Sequence, residues 1–366
     1  MKYRSAKDSD ISRLISLENS SFDSDKLNKR NFKYFIGLSH GEILVQELDH
    51  KIIGYGILLF HRGTALARLY SFAVDQSYGG KGLGKKLLAK LEQLAKEKGS
   101  TYLRLEVKVS NKKAILLYEK SGYRKFGTKK DYYQDHTDAQ CYEKKIRSLS
   151  GKIIKGPKVP YYQQTTEFSC GPSSLIMAMK ALDKKIKVNR ELEFDIWREA
   201  TTIFMTSGHG GCGPHGLALA AHRRGFEVEL FLNSSAPLFV DGVRSEYKKE
   251  IIKLVQKDFE KKIKKEKIAV YKDEYDWETI REIFSNGGIP ILLISAYRLT
   301  ETKAPHWITL TAMEEEFIYF HDPDVGGNQT YVDNINVPVR RDEFELMAKY
   351  GSHQVRCIVA LYPLKA

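Results

Sequence analysis

Long apolar runs are missing from this chain. No stretch approaches the roughly 20 consecutive apolar residues that a membrane-spanning helix requires, so folding in water is expected and a membrane partner is not. The amino terminus, MKYRSAKDSD, has no apolar segment behind its charges and does not read as a secretory signal, which makes a cytoplasmic location the expectation. Cysteine is scarce as well. Cys141, Cys170, Cys212 and Cys357 are too few and too scattered for a disulfide framework, and a reducing compartment keeps them as thiols, so the reactivity of each becomes the question. There is no internal repeat and no low-complexity tract, although Cys-Gly-Pro occurs twice.

What is present suffices for two cores. At 366 residues the chain exceeds one domain of typical size, about 100–200 residues. Its net charge of +13 raises the question of nucleic acid, but much of that charge sits in one run, residues 248–272, where Ile251, Ile252, Leu254, Val255 and Phe259 recur at helical spacing. The pattern reads as an amphipathic surface helix. Without interleaved aromatics or a base-reading motif, nucleic-acid binding is not expected.

The composition shifts at residues 147–160 (RSLSGKIIKGPKVP), which are polar, basic and punctuated by glycine and proline; this reads as a linker between domains 1–146 and 161–366. In the first domain, residues 52–60 and 66–74 read as adjacent strands, and 82–98 as a helix with leucines at 83, 87, 88, 91 and 94 on one stripe. Residues 102–109 follow as a strand and 111–120 as a helix stopped at Ser121-Gly122, so this half is α/β. The second domain opens with helix 171–182, a glycine-rich loop at 208–213, helix 216–223 and strand 226–232. Beyond the lysine-rich helix, 289–295, 307–313, 317–321 and 356–362 read as strands of one buried sheet, an α+β pattern.

The loop Gly79-Gly80-Lys81-Gly82-Leu83-Gly84 leaves a strand and enters a helix. Glycines let the backbone approach a ligand, and the unpaired amides of a helix N-terminus face an anion, so a pyrophosphate can be held by backbone groups alone. A tight βα turn would show the same glycines. From Leu69 to Tyr123, however, the chain resembles the GNAT superfamily of N-acetyltransferases, especially bacterial members that modify the N-terminal amine of ribosomal proteins. Its second motif reads Asn111-Lys112-Lys113-Ala114-Ile115-Leu116-Leu117-Tyr118-Glu119-Lys120-Ser121-Gly122-Tyr123. The resemblance covers residues 1–146. It implies that acetyl-CoA is bound by the loop Gly79 to Gly84, by the preceding strand at Phe72, Ala73 and Val74, and by Asn111. It also implies that Tyr118 is the general acid and Glu106 the base, acting directly or through water. The arginine or glutamine that usually begins the phosphate loop is Gly79 here.

Cys170 lies in Gln163-Gln164-Thr165-Thr166-Glu167-Phe168-Ser169-Cys170-Gly171-Pro172, directly before the apolar helical run that starts at Leu175. A helix N-terminus favours a thiolate, and Gln164, six residues upstream, could donate to a developing oxyanion beside the Cys170 backbone N–H. A thiol nucleophile needs an imidazole and a group to orient it. His306 starts one apolar run and Asp322, in His321-Asp322-Pro323, ends the next, so two neighbouring strands would bring them together.

In this order Gln164, Cys170, His306 and Asp322 resemble papain-fold cysteine peptidases of the family-39 type, the leader-peptide-cleaving domains of bacteriocin exporters, in their stand-alone branch. The resemblance runs from Val159 to Leu364 and implies oxyanion donor, nucleophile, base and orienter in turn. Cys212 is a rival in the second Cys-Gly-Pro, but Thr206, not glutamine, stands six residues before it. His209, Cys212 and His215 make a poor zinc site because no clear fourth ligand is near, and no metal is expected. The glycines around Cys212 read as a substrate-lining loop. Residues 193–202 read as a capped amphipathic helix.

The joint expectation is a bifunctional bacterial enzyme: an acetyl-CoA-dependent N-acetyltransferase acting on a protein or peptide amine, fused to a papain-like cysteine peptidase working through a thioester. If an amine instead of water resolves the thioester, the second domain is a transpeptidase or deamidase. Either half could also be a binding module without turnover, an alternative that the Gly79 departure favours for the first half.

Overall fold

The computed structural model describes residues 1–147, 152–202, 210–240, 243, 245–326 and 330–364. The chain separates into two compact units, Met1–Leu149 and Ser150–Ala366.

In the first unit β1 (Lys2–Ser5) precedes two helices, α1 (Ile11–Ser21) and α2 (Lys29–Ile36). There follow β2 (Gly41–Leu48), β3 (Lys51–Phe60), β4 (Leu66–Val74), α3 (Leu83–Glu97), β5 (Tyr102–Lys108), α4 (Lys112–Lys120), β6 (Arg124–Lys129) and β7 (Ala139–Lys145). The strands make one sheet in the order β1-β2-β3-β4-β5-β7-β6. Helices cover both faces: Leu14, Phe32 and Tyr55 belong to one core, and Leu58, Leu87 and Leu91 to the other. This is why β3 is apolar almost throughout and does not alternate. Gly56 admits α3 at close range, since a Cβ there would lie 2.4 Å from Leu91 Cδ1.

The strands β4 and β5 run parallel, but only for part of their length. Their pairing starts at Leu66↔Tyr102 and stops at Leu69↔Leu105, although β4 continues to Val74 and β5 to Lys108. Beyond Leu69 and Leu105 the two strands diverge, leaving backbone donors and acceptors without each other as partners.

The second unit contains α5 (Cys170–Leu182), α6 (Arg190–Ala200), α7 (Pro214–His222), β8 (Phe226–Leu232), α8 (Glu246–Lys265), β9 (Ala269–Tyr271) and α9 (Trp277–Ser285). It continues with β10 (Ile289–Ser295), α10 (Tyr297–Thr300), β11 (Pro305–Met313), β12 (Phe317–His321), β13 (Val337–Arg340), α11 (Arg341–Met347) and β14 (Cys357–Pro363). Its sheet has the order β13-β12-β11-β10-β14-β8-β9, antiparallel except for β8 with β9. Alternate residues of β10 feed separate cores: Ile289, Ile291 and Leu293 face α5 and α7, whereas Leu292 and Ile294 face α9 and α11.

Helix α5 is buried on every side from Gly171 to Met179. Its polar members are paired: Ser174 Oγ donates to Trp307 O at 3.1 Å, and Thr309 Oγ1 donates to Ser174 O at 3.0 Å, pinning α5 to β11. The lysine-rich segment is a helix as its spacing indicates, but it ends at Lys265 and its buried side is Ile252, Gln256, Phe259 and Ile263; Leu254 points to solvent. Part of the expected linker, residues 148–151, lies outside the described residues. From Ile154 onward that stretch is built into the second unit: Ile154 bridges to Met313, and Val159 is buried in the core.

Candidate active sites

In the second unit, the register of β11 against β12, with Thr309 opposite His321, brings the start of one strand and the exit of the other to the same end of the sheet. His306 and Asp322 meet there, with His306 Nε2 2.7 Å from Asp322 Oδ1. The other ring nitrogen is left for Cys170, whose thiol also acts on the charge of the ring. Burial pulls the His306 imidazole toward neutrality; the Asp322 carboxylate, seconded by the Cys170 sulfur, outweighs it and holds the ring well above the ordinary histidine value. Cys170 is half-buried, in the first turn of α5, and so combines access with a helix N-terminus and an imidazolium partner.

Gln164 is carried to the same place by hydrogen bonds between the segment before α5 and the end of β12. His321 Nε2 contacts Val159 O at 3.1 Å, Tyr161 Oη donates to Asp322 O at 2.9 Å, and Gln164 N donates to Pro323 O at 3.0 Å. The Gln164 side chain is buried, and its Oε1 has no hydrogen-bond partner among the described residues.

Cys212 is in a different environment. Its thiol is buried and pushed well up by that burial, with Cys170 adding to the shift, while its carbonyl accepts from Trp307 Nε1 at 3.0 Å. That placement disfavours the thiolate that a nucleophile needs. Among the described residues no group of three His, Cys, Asp or Glu side chains could hold a metal ion. His209, weighed as a ligand with Cys212 and His215, lies outside the described residues, as does Gly208 of the glycine-rich loop. Burial pulls the neighbouring His215 imidazole down.

Three features of this site were not legible as such in the sequence. Glu193 on α6 is 1% exposed and gathers hydroxyl and amide donors from both sides of Gln164 and from the first turn of α5. Trp197, one turn further on, packs on Phe168 with ring centroids 5.0 Å apart and donates to Gly210 O. Tyr162 holds Glu193 from the Gln164 side. The one available signal was that Glu193 falls on the same helical stripe as Ile196 and Ala200.

In the first unit, Gly82 caps α3 in the left-handed conformation with φ 68°, and Gly80 has φ 77°; a Cβ would meet nothing at either, so conformation and not space calls for glycine there. The first turn of α3 sits beside β4 and α4: a Cβ on Gly84 would meet Leu117, Phe72 and Val74 at 3.7–3.9 Å. Phe72 lies in turn near Tyr118, their ring centroids 6.4 Å apart. Tyr118 is buried, and burial raises its phenol above the usual value, which keeps it protonated through neutral pH.

Several expected ligands are placed less simply. The Gly79 N–H already donates to Gln76 O, closing the turn before the loop. Ala73 turns its methyl into the α1–α2 core, leaving only its backbone toward the other face. Asn111 Oδ1 is spent capping α4 through Ala114 N, at 3.1 Å. Both Glu106 oxygens are engaged, Oε2 by Arg68 Nε at 2.8 Å and Oε1 by Lys129 Nζ at 2.7 Å, and Arg68 also donates to Tyr132 Oη. A carboxylate in this double ion pair keeps lone pairs for a water but is not a free base, so the direct form of the expected role does not fit the geometry.

The divergent parallel strands ahead of a glycine-capped helix, and the thiol, imidazole and carboxylate at the end of an antiparallel sheet, together define a chain that joins an acyltransferase-type unit to a peptidase-family unit. The GNAT acetyltransferase family matches residues 10–123, so the first unit is a GNAT acetyltransferase domain. The chain belongs to the Peptidase_C39 like family, which matches residues 159–362, more than half its length.

Among its relatives, a putative ribosomal protein bS18-alanine N-acetyltransferase of Bacillus subtilis is 34% identical over 128 residues, which is 35% of this chain and 83% of the relative. The Haemophilus influenzae ribosomal protein bS18-alanine N-acetyltransferase is 42% identical over 87 residues, 23% of this chain and 56% of that protein. The crystal structure of the ribosomal-protein-S18-alanine N-acetyltransferase from Escherichia coli aligns with a TM-score of 0.38 at 24% identity, covering 41% of this chain and 96% of that one.

Proposed function

We propose that the chain is a bifunctional enzyme in which the second unit, a papain-like cysteine peptidase, cleaves a peptide or amide bond through a thioester on Cys170, and the first acetylates a protein or peptide amine from acetyl-CoA. The observation that carries the first part is the 2.7 Å bond between Asp322 and His306, with the Cys170 thiol acting on the same ring. With the proton already held on His306 as an imidazolium, Cys170 attacks the carbonyl as a thiolate, and the Gln164 amide with the Cys170 N–H receives the oxyanion. His306 then returns the proton to the leaving amine and activates the water that opens the thioester. Turnover of a fluorogenic peptide library that vanishes in Cys170→Ala and His306→Ala supports this reading; equal turnover in the variants refutes it.

For the first unit, the separation of β4 from β5 after Leu69 and Leu105, with Phe72 and Val74 beside the first turn of α3, fits acetyl-CoA. The Gly82, Leu83 and Gly84 backbone would hold its pyrophosphate, with Gly80 and Lys81 completing the loop. Bound there, acetyl-CoA supplies the acetyl group and departs as a thiol. Tyr118 Oη holds the proton that the departing sulfur needs, and Glu106, fixed by Arg68 and Lys129, positions a water that relays the amine's proton. The named activity of the relatives makes an N-terminal amine, such as a ribosomal alanine, the acceptor to test first. Calorimetry that finds no affinity for acetyl-CoA or CoA contradicts this part.

A further inference from the structure

Five hydrogen bonds converge on the Glu193 carboxylate. Oε1 accepts from Thr165 N at 2.8 Å, Ser169 Oγ at 2.5 Å and Ser173 Oγ at 3.3 Å; Oε2 accepts from Tyr162 Oη at 2.8 Å and Thr165 Oγ1 at 2.9 Å. A carboxylate buried at this depth is costly unless its lone pairs are filled, and here donors fill them from two segments. Tyr162 and Thr165 flank Gln164, and Ser169 and Ser173 flank Cys170 in the first turn of α5. The two donors assigned to the oxyanion, the Gln164 side chain and the Cys170 N–H, therefore hang from the same anchor. They are effective only if both converge on a single developing charge, within about 2.7–3.1 Å of it. Trp197 braces the same region from α6 through Phe168, two residues before Cys170.

We infer that Glu193 is a positioning residue that sets the oxyanion-stabilising geometry of the Cys170 site, acting through Gln164 and the α5 N-terminus without touching substrate. The inference rests on the thioester chemistry proposed for Cys170. It separates two reactions of the same thiol: acylation by p-nitrophenyl acetate develops an oxyanion, whereas alkylation by iodoacetamide displaces iodide at a saturated carbon and develops none.

The test measures both rates on the full chain for wild type, Glu193→Gln and Tyr162→Phe, with Gln164→Ala as the reference for a lost oxyanion donor. Glutamine can keep its oxygen toward Thr165 N, and Tyr162→Phe removes one bond from the Gln164 side only, so at least one variant retains the fold, which thermal melting checks. The expected result is a roughly 10- to 100-fold fall in acylation with alkylation within about twofold of wild type, the signature also expected for Gln164→Ala. An equal fall in both rates in the folded variants, or no fall in either, overturns the positioning role while leaving the thioester reading intact. A wild type that is alkylated but never acylated removes the reading beneath it and overturns the inference with it.

Discussion

Replacing Asp322 tests how the imidazole works. In the intact site Asp322 Oδ1 accepts from His306 Nε2 at 2.7 Å and also from Asp324 N at 2.9 Å. Asp322→Asn keeps an oxygen for both donors and removes only the charge; Asp322→Ala removes everything. Hydrogen bonds to charged groups contribute about 1.5–3 kcal/mol, which at about 1.4 kcal/mol per decade is a loss of roughly 10- to 150-fold in acylation for the alanine variant and the lower end of that range for asparagine. The pH dependence has a definite sign. Burial lowers the basicity of His306, and Asp322 with Cys170 reverses this, so the imidazolium persists above the ordinary 6.5. Without the carboxylate, burial prevails, the imidazolium is lost at lower pH, and the alkaline limb of the rate profile moves toward acid. Nitrophenol release followed between about pH 5 and 10 measures both quantities. An Asp322→Asn profile that superimposes on wild type would refute the idea that the carboxylate sets the charge state of His306.

Gly216→Ala should destabilise the chain by about 1–3 kcal/mol in urea unfolding, because the added Cβ would stand 2.6 Å from the Ala200 backbone. An exposed helix would instead gain about 0.5–1 kcal/mol from the same change, so the sign decides whether α6 and α7 cross this closely. Iodoacetamide at neutral pH should label Cys170 well ahead of Cys212, Cys141 and Cys357, the latter three being buried; peptide mass spectrometry that finds Cys212 labelled first would reverse the assignment. Tyr118→Phe should leave acetyl-CoA affinity within about twofold and lower the acetylation rate by roughly 10²-fold, the effect of losing a general acid; unchanged turnover would make Tyr118 a packing residue.

The elements that could be read from the chain are those whose burial repeats along the sequence. Residues 66–74, 226–232, 289–295 and 317–321 are continuous or alternating apolar runs and are strands over those same residues. The short strands β9 and β13 were not legible, because four residues or fewer carry no period and owe their conformation to a partner. At the sites, the thiol, imidazole and carboxylate stood out because reactive residue types are few. Glu193 did not: a glutamate in an amphipathic helix reads as its solvent face until the hydroxyls that surround it are known. Nor could spacing show that Glu106 is clamped between Arg68 and Lys129, which are brought to it from different strands. The Asn111 side chain illustrates the same gap, since capping and ligand binding compete for one oxygen.

The thioester proposed for Cys170 requires His306 beside the thiol. The most direct measurement is acid quenching of the full chain shortly after mixing with p-nitrophenyl acetate, followed by peptide mapping. An acetyl group on the Cys170 peptide that is labile to hydroxylamine, decays on longer incubation and is absent from His306→Ala is the predicted result. Acetylation at Cys212, or an adduct on Cys170 that forms equally well without His306, would contradict it.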